Sequence, residues 1–107
     1  MAEVPAPQDA SLAGYQTYIQ QVMQQRGFDK ETVSQKFMLL LEESGEFAQA
    51  ARKQANLAQA TDTATEDCSD AAADVLAVLL DICNQLGINL GQAFVNREHK
   101  NQTRTWE

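Results

Sequence analysis

The stretch Phe37-Met38-Leu39-Leu40-Leu41-Glu42-Glu43-Ser44-Gly45-Glu46-Phe47-Ala48 breaks a run fit for a protein core with three glutamates. Laid on a helix at about 100° per residue, Phe37, Leu39, Leu40, Leu41, Phe47, Ala48, Ala50 and Ala51 share one broad arc, and Glu43 falls inside it. Glu46 lies at the edge of that arc. Glu42 points the other way, into the sector of Gln49, Arg52 and Lys53, so the two adjacent glutamates have different expected roles. An ionised carboxylate facing a core must find a cation, a hydrogen-bond network or a proton, because its unpartnered burial costs more than a small fold's whole stability.

Outward from this segment the chain reads as helices. Residues 1–10 contain Pro5 and Pro7 and no periodicity, and are expected to form a flexible arm ahead of a single domain over 11–107. Leu12, Tyr15, Tyr18, Ile19, Val22 and Met23 recur at helical spacing after Ser11, giving a first helix that ends near Gly27. Asp29 offers an N-cap for a second helix over about 30–55, which carries the glutamates. Residues 56–64 are the weakest stretch for structure and the expected link.

Thr63-x-x-Glu66 has the form of a capping box opening a third helix to Leu86, which Gly87 would stop. Asn89-x-x-Gln92 can begin a fourth, from Leu90 to about Gln102. The third helix has an apolar arc of roughly 200°, wider than a bundle surface helix needs, which predicts packing on more than one side. The expectation is an all-α, four-helix bundle completed by oligomerisation, as a homodimer or a dimer of dimers.

Composition narrows the partners. The 107 residues suit one domain, and 15 acids against 8 Lys and Arg give a formal charge of −7, which opposes binding to a nucleic acid polymer. No run of about 18 apolar residues offers a membrane span, and the first ten residues lack the plan of a secretion signal, so a cytoplasmic protein is expected. Cys68 and Cys83, roughly 22 Å apart along one helix, are expected to be reduced thiols. With one histidine, His99, a structural zinc site is not expected.

Chemistry gathers on two acidic stripes. Asp70, Asp74 and Asp81 fall within about 40° of one another on the third helix, and Glu43 and Glu46 form a stripe on the second. Facing each other across a bundle, they would make an all-oxygen site suited to Mg²⁺ or Mn²⁺. An aspartate stripe is equally what the wet face of an amphipathic helix carries, and Glu43 has Lys36 two turns away as an alternative partner. At the far end Arg97, Lys100 and Arg104 follow spacings of three and four beside Asn101, which suits phosphates or a helix dipole. Trp106 can stack on a base or simply pack.

Leu41-Glu42-Glu43-Ser44-Gly45-Glu46-Phe47-Ala48 resembles the Glu-Glu-x-x-Glu signature of MazG-like nucleoside triphosphate pyrophosphohydrolases. The segment from Asp74 to Asp81 is similar to that family's second acidic segment, Leu86-Gly87-Ile88-Asn89-Leu90 to its continuation, and Arg97-x-x-x-Asn101-x-x-Arg104-x-Trp106 to its tail. The resemblance implies an oligomeric all-α enzyme that uses Mg²⁺ to hydrolyse a nucleoside triphosphate, as in deoxynucleotide house-cleaning, to the monophosphate and pyrophosphate. It implies Glu43, Glu46 and Asp74 as metal ligands and catalytic residues, with Arg97 and Asn101, flanked by Lys100, Arg104 and Trp106, on the nucleotide. One departure matters: Ala71 stands where the family has a glutamate, leaving Asp70, Glu42 or Glu66 to complete the shell. The alternative is a catalytically silent helical module that senses nucleotide or binds a protein.

Overall fold

Helices here start where a side chain can take over an orphaned backbone amide. In the computed structural model, which describes residues 4–7, 10–56 and 62–105 (backbone alone at 62–64), four α-helices follow one another. They are α1 (Leu12–Gln25), α2 (Val33–Asn56), α3 (Asp62–Leu86) and α4 (Leu90–Gln102), and no strand occurs among the described residues. Ser11 Oγ accepts from the Gly14 amide at 3.0 Å to open α1, and Asn89 Oδ1 accepts from the Gln92 amide at 3.1 Å to open α4.

α2 begins later than an Asp29 cap predicts. Thr32 Oγ1 accepts from the Gln35 amide at 3.1 Å while Gln35 Oε1 accepts from the Thr32 amide at 2.8 Å. This reciprocal box satisfies two orphan donors where a lone aspartate satisfies one, so the boundary moves to Thr32. α3, by contrast, is already helical at Asp62, before the expected Thr63 cap, whose side chain lies outside the described residues. Gly27 and Gly87 take φ of 80° and 71°, and the amides after them reach back to Met23 and Cys83 carbonyls at 2.9 and 2.8 Å. Only glycine enters that left-handed turn without penalty, so both helices end there.

α3 is the central element, with α2 packed along one side, α1 on another and α4 against α1. Ile19, Val22 and Leu80 form the buried centre, ringed by Tyr15, Leu76 and Leu90. The broad apolar arc read on α3 is thus used from two sides. Gln16, itself buried, ties α1 to the α3–α4 turn: its amide donates to Asn84 Oδ1 and the Ile88 carbonyl, and its Oε1 accepts from the Leu90 amide. Cys68 and Cys83 are both free thiols.

The apolar arc of α2 is only partly core. Leu39 and Leu40 are half-buried, yet Phe37 is 45% exposed, Met38 69% and Leu41 74%, on a helix whose main packing is against α3. The radius of gyration is 16.5 Å, against about 13 Å for a self-contained domain of 100 residues. The accessible surface is 8016 Å², where a compact monomer of this mass exposes roughly 5,900 Å². Among the described residues, no single helix is long and apolar enough to cross a membrane.

Candidate carboxylate site

The site is built by the α2–α3 hairpin. Near the start of α2, Lys36 Nζ meets Asp81 Oδ1 near the end of α3 at 3.2 Å, so the two helices run antiparallel. Lys36 is only 4% exposed and is the buried side chain of α2. It therefore does not pair with Glu43, and Asp81 leaves the acidic stripe to serve as its counter-ion. An ammonium removed from water takes the carboxylate across the interface, because seven residues along one helix is beyond direct reach.

Two turns further along α2 stands Glu43, and two turns back along α3 stands Asp74. Glu43 is half-buried, and its Oε2 is sealed from water without a hydrogen-bond partner. Burial pushes its carboxyl above the ordinary glutamate range, and the charges of Glu46, Asp74 and, most weakly, Glu42 push it further. All those neighbours are acids. Two ionised carboxylates cannot hydrogen-bond each other, so Glu43 and Glu46 can join only when a proton or a cation sits between them.

Among the described residues no group of three or more His, Cys, Asp or Glu side chains is placed to hold a metal ion. The orphaned oxygen of Glu43, with the charges of Glu46 and Asp74 acting on it, nonetheless suits a hard divalent cation such as Mg²⁺ or Mn²⁺ in its donor chemistry. Glu46 and Asp74 are exposed and free to turn toward such an ion. Glu42 is exposed on the outer side of α2. Asp70 is exposed on α3 and is not among the carboxylates whose charge acts on Glu43.

The basic segment lies elsewhere on the protomer. Arg97 and Lys100 are exposed on α4, and Arg104 follows its Thr103 cap. The charges that act on Glu43 include no residue of α4, whose main packing is on α1. Asn101 differs from these neighbours: it is half-buried, with a sealed Oδ1 that no donor meets. Trp106 lies outside the described residues.

Sequence reading missed the Lys36–Asp81 pair and the Gln16 network. The signal for the first was available, since a lysine on an apolar arc needs an anion as much as a glutamate needs a cation. Compared with protein-family models, with curated proteins and with solved structures, the chain matches none.

Proposed function

We propose that the chain is a MazG-like, Mg²⁺-dependent nucleoside triphosphate pyrophosphohydrolase, with deoxynucleotides among its substrates. The observation that carries this reading is the orphaned Oε2 of half-buried Glu43, on which the charges of Glu46, Asp74 and Glu42 act. Such an arrangement destabilises the bare fold and makes chemical sense as a cation seat. Glu43, Glu46 and Asp74 would hold the ion, with Asp70 or Glu42 as a further oxygen donor. Bound there, Mg²⁺ would neutralise triphosphate oxygens against the protein's own negative charge.

The remaining chemistry belongs to the chain's residues. A carboxylate of the cluster takes a proton from water as its oxygen bonds to phosphorus; the bond to the bridging oxygen breaks, and pyrophosphate leaves with that electron pair. Arg97, Lys100 and Arg104 would offset charge on the departing pyrophosphate, with Asn101 beside them on the nucleotide.

The exposed apolar side chains of α2 and α4, with Phe94 62% and Val95 45% exposed, support an oligomer. In a dimer or dimer of dimers, α4 of one copy could approach the acidic face of another and bring its cations to the carboxylates.

The deciding experiment is a substrate panel. Deoxynucleoside and ribonucleoside triphosphates with Mg²⁺ should release pyrophosphate, and Glu43→Gln should lower kcat/KM by about 100-fold or more while the helices stay folded. Orthophosphate as the first product would overturn the reading. Binding of a non-hydrolysable triphosphate without turnover would move it to a nucleotide sensor.

A further inference from the structure

The carboxylate site depends on how α2 lies against α3, and much of that interface cannot fix its own register. Half-buried Ala50, Ala71 and Ala72 are small, and Leu39 and Leu40 pack without direction. A slip of one turn displaces one helix by about 5.4 Å and still buries apolar surface. The Lys36–Asp81 contact tolerates no such slip: at 3.2 Å it is lost at once, stranding an ammonium that is 4% exposed.

The two pairs share one geometry. Glu43 follows Lys36 by seven residues and Asp74 precedes Asp81 by seven, and seven residues are close to two helical turns. In an antiparallel hairpin, equal steps from a fixed contact arrive at facing positions, so joining Lys36 to Asp81 brings Glu43 opposite Asp74. We propose that Lys36 and Asp81 are the positioning pair of the site, setting the α2–α3 register that holds Glu43 and Asp74 on a common cation. Register specification is the best attested use of a buried ion pair, whose net stabilisation is otherwise small. This inference rests on the cation-seat reading for its consequence, but not for its geometry.

The test uses the full chain with Lys36→Met, Asp81→Asn and the exchanged double variant Lys36→Asp/Asp81→Lys. A cleft of about 220 Å³, lined by both residues with Gln20, Gln24, Asp29 and Asn84, leaves room for the exchange. Two readouts are taken: Mn²⁺ affinity by calorimetry, and nuclear Overhauser contacts between α2 and α3 around Glu43 and Asp74. Each single variant should lose Mn²⁺ affinity by about tenfold or more with altered contacts, and the exchanged protein should recover most of both.

Unchanged contacts in the single variants would overturn the proposal, as would an exchanged protein that recovers nothing. Should the single variants lose their helices, the exchanged protein decides alone: recovery of fold and contacts supports the pair, and failure to recover overturns it. A wild-type protein that binds no Mn²⁺ would sink the cation-seat reading, while the contacts still judge the register.

Discussion

Gln16 and Asn84 hold each other across α1 and α3: Gln16 Nε2 donates to Asn84 Oδ1 at 3.0 Å, and Asn84 Nδ2 donates back to the Gln16 carbonyl at 2.8 Å. With Ile88 and Leu90 as its other partners, the Gln16 side chain joins three helices through the turn that Gly87 makes. Gln16→Leu keeps the bulk and strips the partners, leaving Asn84 Oδ1, the Ile88 carbonyl and the Leu90 amide unsatisfied. The loss should be about 2–4 kcal/mol in urea denaturation. A loss near zero would mean that water replaces the clamp.

The contrast with Ser11 and Asn89 shows what was legible in the sequence. Those caps act within three residues, so their chemistry can be read locally, as can the glycine stops at Gly27 and Gly87. Thr32 is less legible because Asp29 offers the same capping chemistry three residues earlier, and only the reciprocal bond from Gln35 decides between them. Glu43 stood out through helical period alone. Its setting did not, because Lys36 and Asp81 lie 45 positions apart and pairing at that distance follows from packing. Leu41 marks the other limit: an apolar arc says that something covers it, but not which chain.

Glu43 also makes stability depend on pH. Its folded carboxyl is raised, first by burial and then by Glu46 and Asp74, so between the ordinary glutamate range and the raised midpoint the folded protein holds the extra proton. The stabilisation linked to that proton is fully present below the ordinary range and is lost as pH rises through the raised midpoint. Metal-free wild-type protein should therefore show a falling melting temperature across that window, and Glu43→Gln should lack this component. Saturating Mg²⁺ should reverse the trend, since the ion binds the deprotonated form. Parallel curves for the two metal-free proteins would contradict the assignment.

The same residue predicts a conflict between stability and activity. At neutral pH, Glu43→Gln removes a charge whose neighbours are all acids and supplies an amide that can donate to Glu46. Like charges one turn apart on a helix cost up to about 0.5 kcal/mol, so the metal-free variant should be more stable than wild type by at least that order. It should also fail to gain further stability from Mg²⁺, while wild type does. Calorimetric melts with and without Mg²⁺ check both halves, and a destabilised variant would mean that Glu43 has a structural partner after all.

The exposed stripe on α2 yields the last prediction. Met38 and Leu41 are 69% and 74% exposed, with Phe37 beside them, on a helix that packs chiefly on α3. A second copy covering this stripe would make it the apolar centre of an interface, where buried charge is least tolerated. Met38→Glu with Leu41→Glu should therefore leave the protomer helical, since neither side chain supports its core. It should shift the sedimentation coefficient from an oligomer toward a monomer at micromolar concentration. If the site needs α4 from another copy, pyrophosphate release should fall with the dissociation and recover as protein concentration rises. An unchanged sedimentation profile would place the interface elsewhere, with Phe94 and Val95 on α4 the next residues to test.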